Sequence, residues 1–152
     1  MGLWNSLFGG RSPDAVPAAS PTPARQRAVL LAGDGSYSLN VVGESNYQDA
    51  LANIVGGKTV DGHMEYVSAV LVPQPDNAFD ANAVMVAIGG DLVGYLDRPT
   101  AKMCCDEIFA KGYAGAGCNA LISGGWDRGG DRVGSFGVKL DVRYPFEILT
   151  SS

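Results

Sequence analysis

"NAVMVAIGGDLVGYLDR", residues 82–98, decides the fold. Val84, Val86 and Ile88 alternate with Met85 and Ala87, and Leu92, Gly94 and Leu96 alternate with Val93 and Tyr95. Between the two runs Gly89-Gly90 supplies the positive-φ turn that a right-twisted pair of strands needs, so the stretch reads as a β-hairpin. On its C-terminal side "RPTAKMCCDEIFAKG" places Pro99 in a first helical turn, Ala101, Cys104, Cys105 and Ile108 on one face, and Gly112 as a stop. That is a helix. "GCNALISGG" and "FGVKLDVRYPFEIL" then read as two strands, the second with Phe136, Val138, Leu140 and Val142 facing in and Lys139, Asp141 and Arg143 facing out. The loop "GGWDRGGDRVG" between them is longer than a hairpin requires.

On the N-terminal side "GHMEYVSAVLV" is a strand that becomes apolar on both faces before Pro73 and Pro75 forbid further ladder bonds. Ahead of it, "YSLNVVG" reads as a first strand ending at Gly43. Ser45 with Gln48 resembles a capping box, and Ala50, Leu51, Ile54 and Val55 share a helical face that Gly56-Gly57 terminates. The order is β-α-β-β-β-α-β-β. A mostly β, α+β chain of this kind, with two short helices, closes most economically as a small, curved, mostly antiparallel barrel, because closure removes exposed strand edges.

The chain's 152 residues suffice for one domain without disulfides or metals. Its 21 glycines favour turns and short strands over helices. The expected division is a flexible tail and Pro/Ala-rich linker over residues 1–36 and a barrel over 37–149. Within the tail, Leu3, Trp4, Leu7 and Phe8 lie at helix-like spacing and suit a docking segment for a protein partner. Adjacent Cys104 and Cys105 with a distant Cys118 form no disulfide framework, and neither a membrane span nor a secretory leader is apparent. A cytoplasmic setting is expected. Net charge is −5, and residues 37–149 alone hold 8 Lys+Arg against 14 Asp+Glu, a balance of −6. Extended duplex binding, which needs a cation for each neutralised phosphate, is thereby disfavoured; a local contact at a chain end is not.

Metal and catalytic readings fail on residue types. One histidine, His63, and three ill-spaced cysteines make no tetrahedral zinc set. Asp76, Asp80 and Asn82 lack the glycine and the closing bidentate Glu of a calcium loop. No nucleophile elbow or phosphate-binding glycine loop is intact, so the expectation is a binding protein without catalysis, cofactor or metal. "DNAFDANA", residues 76–83, has two readings. Its Asn and Asp side chains form Asx turns by accepting from backbone N–H groups two residues on, or the same turn holds a ligand.

The succession of "VVGES-Y", "LVPQPDNAFDANAVMV" and "VGYLDRPTA" resembles the HIRAN domain, a module found alone in bacteria and phages and fused to helicase-like remodellers in eukaryotes. The likeness spans residues 38 to about 143. Asn77, Ala78, Phe79, Asp80, Asn82 and Ala83 fill the Asn-Pro-Tyr-Asp-x-Asn-Ala-type turn, and Gly94, Tyr95 and Leu96 fill a second motif. The resemblance implies an OB-like barrel that recognises the 3′ end of single-stranded DNA. Asp80 would accept a hydrogen bond from the terminal hydroxyl, Phe79 would stack a base, and Asn77 would line the pocket. Phe79 stands where Tyr is usual and Ala78 where Pro is usual. Ser45-Asn46 replaces an Arg-Tyr-like pair, with Tyr47 just beyond. In the long loop, Trp126 is a candidate stacking surface and Arg128 and Arg132 are candidate phosphate contacts. The rival expectation is an interaction module that keeps the barrel without a DNA pocket.

Overall fold

A computed structural model describes residues 28–149, and the expected docking segment Leu3, Trp4, Leu7 and Phe8 lies outside the described residues. The strands are β1 (Ala28–Leu31), β2 (Leu39–Asn40), β3 (His63–Pro73), β4 (Val84–Ile88), β5 (Asp91–Tyr95), β6 (Gly115–Gly124), β7 (Phe136–Asp141) and β8 (Ile148–Leu149). The helices are α1 (Gln48–Val55) and α2 (Arg98–Glu107). The sheet runs β2-β7-β6-β3-β4-β5 and curls until its two ends meet. Val42, just past β2, and Tyr95, at the end of β5, exchange backbone hydrogen bonds of 2.8 and 2.9 Å. The result is the expected mostly β, barrel-like fold with two helices.

The β4–β5 hairpin forms as the alternation predicts, with one irregularity. Ala87 pairs with Leu92 but Val86 pairs with Gly94, so Val93 is an extra residue in the ladder. Such a bulge bends the strand and resets its side-chain phase. Val93 and Leu96 therefore both reach the core, which strict alternation forbids. At Gly94 the strand ends approach so closely that a Cβ would come within 2.8 Å of the Val42 carbonyl oxygen. Only glycine permits this closure.

Inside, Leu71, Val84, Val86, Ile122, Val138 and Leu140 form one cluster, and the helices cover it with Leu51, Ala101, Cys104 and Ile108. Each such Leu, Val or Ile contributes roughly 1.5–3 kcal/mol by leaving water. The helix ends follow ordinary capping chemistry. The Asp97 carboxylate accepts from Thr100 N–H at 2.8 Å beside Pro99, and Gly56 ends α1 at φ 90°.

Five expectations are corrected. The sheet already includes Ala28–Leu31, within the stretch expected as linker, since β1 pairs in parallel with β6 (Ala28↔Gly115 to Leu30↔Gly117) and antiparallel with β8. A four-residue apolar run carries no periodicity, and its partners lie far along the chain. The strand expected over 37–43 shrinks to Leu39–Asn40 plus the Val42 bridge, because residues 33–37 turn around a carboxylate. That carboxylate is Asp141, read as outward and solvated but in fact buried. It accepts from the N–H of Asp34 at 3.1 Å and of Gly35 at 2.9 and 3.0 Å. Finally, Ser45 and Gln48 make no capping box. Gln48 instead ties α1 to β7, accepting from Phe136 N–H at 2.8 Å and donating to the Phe136 carbonyl at 3.0 Å. The strand expected over 136–149 likewise divides into β7 and β8, separated by Pro145, which has no N–H for a ladder.

Candidate ligand site

Where β3 stops at Pro73, residues 74–83 fold back into β4, and Gln74 N–H closes the loop by donating to the Ala83 carbonyl at 2.8 Å. Asn77 organises the tip. Its side-chain oxygen accepts from the N–H groups of Phe79 (2.8 Å) and Asp80 (3.0 Å). One Asp80 oxygen accepts from Asn82 N–H at 2.9 Å, and the Asp80 carbonyl accepts from Ala83 N–H at 3.0 Å. These are the Asx turns that the residue types predict. They also commit the side chains of Asn77 and Asp80 to fixed directions.

The turn pushes Phe79 into solvent, 87% exposed. An aromatic ring usually finds cover, so a rigid backbone that denies it cover leaves a free π-face. Arg98, the first residue of α2, lies against the same tip. Its Nε is 3.8 Å from the second Asp80 oxygen, and its terminal NH2 group donates to the Phe79 carbonyl at 3.4 Å. Exposed pairs of this length are worth at most about 1 kcal/mol, so the guanidinium exchanges partners cheaply. On the inner side of the turn, Asn77 donates to the Gln74 side-chain oxygen at 2.8 Å, and the Tyr95 hydroxyl donates to that oxygen at 3.2 Å. Burial pushes the Tyr95 phenol above its ordinary range, and the adjoining Tyr47 phenol adds to the shift. Tyr47, at the start of α1, therefore lies beside the Tyr95 phenol. Cys105 on α2 donates from Sγ to the Asn82 carbonyl at 3.4 Å, fixing the other flank.

Tyr47, Asn77, Phe79, Asp80 and Asn82 are thus brought together. Trp126, Arg128 and Arg132 are not in this group. Gly124 pairs with His63 at the start of β3, whereas Val84 pairs with Pro73 at its end, about 33 Å of strand length away at 3.3 Å per residue. The long loop is itself ordered as a small hairpin. Trp126 bridges Thr59, Asp127 bridges Val133, and Arg128 N–H donates to the Arg132 carbonyl at 2.9 Å. The Arg128 guanidinium sits 4.6 Å above the Trp126 ring and donates from Nε to the Val60 carbonyl at 3.1 Å. One face of the indole is already occupied. Arg132 is exposed at the loop's far end.

Sequence reading passed over Gln74 and Arg98 as site residues. Gln74, between two prolines, read as part of a strand terminus, and Arg98 as part of a helix start. No one-dimensional pattern marks either, since their role comes from the fold-back of residues 74–83. Cavities of about 290 Å³ beside Phe146 and about 250 Å³ beside Leu30 lie away from the turn that exposes Phe79. Among the described residues no three His, Cys, Asp or Glu side chains converge on a metal position, and no helix is long and apolar enough to cross a membrane. Comparison with known proteins returns no matching family model, no matching curated protein and no matching solved structure.

Proposed function

We propose that the protein is a HIRAN-type binding module, without catalysis of its own, that takes the 3′ end of single-stranded DNA on the Phe79 turn. The observation that carries this reading is an exposed aromatic ring on a hydrogen-bonded turn, with one carboxylate oxygen and one guanidinium beside it. Phe79 stacks the last base, a contact worth about 1–3 kcal/mol and indifferent to base identity. Arg98 meets the phosphodiester of that nucleotide, supplying the cation that Ser45-Asn46 does not. The Asp80 oxygen not held by Asn82 N–H accepts the terminal hydroxyl, and its charge repels a terminal phosphate. A terminal nucleotide offers a hydroxyl donor and an anion together, which matches an acid and a cation 3.8 Å apart. The free cysteines suit a reducing, cytoplasmic setting.

Fluorescence anisotropy with oligonucleotides ending in 3′-hydroxyl or 3′-phosphate tests this. The hydroxyl end binds more tightly to the native chain, and Asp80→Asn, which keeps the oxygen that accepts from Asn82 N–H, removes the preference. Equal binding of the two ends by the native chain, or none at micromolar protein, refutes it. The acidic balance of −6 over residues 37–149 favours the alternative of a protein-interaction module, in which Phe79 anchors a peptide and neither oligonucleotide binds.

A further inference from the structure

The long strand β3 has an open backbone edge. On one side β6 pairs with it from His63 to Leu71, but on the other β4 reaches only from Val70 to Pro73. Among the described residues, His63–Ala69 therefore has a strand neighbour on one side only. Backbone polar groups alternate sides along a strand, so the phase can be read from a bond beyond its end. Gln74 N–H donates towards β4, to the Ala83 carbonyl. Gln74 is even-numbered, and the ladders show no register shift in β3. Met64, Tyr66 and Ser68 therefore direct their N–H and C=O groups to the open edge. No turn or side-chain hydrogen bond among the described residues takes them. Their side chains are exposed as well, Met64 at 68% and Tyr66 at 62%. Natural edges are usually guarded by proline, lysine or a bulge, and residues 63–69 carry none of these.

We propose that this edge pairs antiparallel with the same edge of a second copy of the chain, about a two-fold axis through Tyr66. Bonded pairs must join outward-directed residues on both strands. Centring on Tyr66 matches Met64 with Ser68, Tyr66 with Tyr66 and Ser68 with Met64, so every open group is used. Sliding either way by one bonded pair leaves an outward residue unpaired on each strand, and one direction sets Glu65 against Glu65. In the centred register Glu65 faces Val67, and the stretch's only carboxylate avoids its copy. The ring of Tyr37 packs edge-on against Tyr66, centroids 5.4 Å apart, and holds it where the two Tyr66 rings become cross-strand neighbours.

Sedimentation of the full chain gives a reversible dimer at micromolar concentration. Ser68→Pro, which removes an outward donor and leaves the β6 ladder intact, raises the dissociation constant at least tenfold while far-UV circular dichroism is unchanged. Independently of how that variant folds, Tyr66→Cys forms a disulfide-linked dimer under mild oxidation. Bonded antiparallel partners sit about 5.5 Å apart at Cα, within the roughly 4.4–6.8 Å that a disulfide spans. Glu65→Cys, facing Val67, does not form one, and the native chain, with Cys104 and Cys118 buried, is the blank. A native chain that stays monomeric at about 100 μM, a folded Ser68→Pro that dimerises normally, or Glu65→Cys crosslinking as readily as Tyr66→Cys overturns the proposal.

Discussion

Asn77→Ala tests whether the turn is held by one side chain. Asn77 Oδ1 accepts two backbone N–H groups, at 2.8 and 3.0 Å, and its amide donates to Gln74 at 2.8 Å. A net hydrogen bond contributes about 0.5–1.5 kcal/mol. Phe79 N–H is exposed and regains water, so its bond counts at the low end. Asp80 N–H and Gln74 Oε1 are part-buried and count higher. The summed loss is about 2 kcal/mol. Asn77→Asp keeps both acceptor bonds and loses only the donor to Gln74, so its cost is about 1 kcal/mol. Urea denaturation at neutral pH measures both, with an unchanged m-value showing that only native-state stability moved. Equal losses for the two variants, or an alanine variant within about 0.5 kcal/mol of native, refute the claim that Asn77 organises the tip.

At Phe79 the prediction runs the opposite way. Phe79→Ala leaves stability within about 0.5 kcal/mol, because an 87% exposed ring buries almost nothing, yet weakens oligonucleotide binding about 5- to 150-fold by anisotropy. Burial pushes the Cys104 and Cys118 thiols up to about 12, so the native state holds two protons that the unfolded chain releases near pH 8.5–9. Their contribution is fully present below that range and lost as pH rises towards 12, at about 1.4 kcal/mol per pH unit for each thiol. Denaturation between about pH 9 and 10.5 shows this fall in stability, and Cys118→Ala makes it shallower.

How much of the molecule was legible follows from the range of the signals. The hairpin at 84–95 and both helices are written in local patterns, turn glycines and a proline start, and they form where those patterns place them. What escaped depends on residues distant in sequence. β1 is a bare "AVLL" whose partners are Gly115–Gly117 and Ile148–Leu149. Asp141 looks like an outward carboxylate until the N–H groups of Asp34 and Gly35, from another segment, converge on it. Trp126 and Arg128 carry the residue types of a nucleic-acid contact. Their union in one cation–π pair at the far end of β3, however, is a fact of topology that composition cannot express.

The candidate site and the barrel's closure share a residue, and that explains why the turn can be rigid on a small protein. Tyr95 closes the sheet through its backbone bonds to Val42 and supports the turn through its hydroxyl on Gln74. Two successive residues divide the work. Gly94, lacking a Cβ, lets the strand ends meet, and Tyr95 then projects from the seam towards Gln74 and Tyr47. The Val93 bulge just before them sets that direction; without the extra residue Tyr95 would point to the opposite face. A loop placed elsewhere on the barrel would be anchored only at its own ends. This one is also anchored from the side by the seam through Tyr95 and by α2 through Cys105 and Arg98. The exposed Phe79 therefore stands on two further elements, β5 and α2, and its orientation is a property of the closed barrel rather than of the eight residues "DNAFDANA" alone.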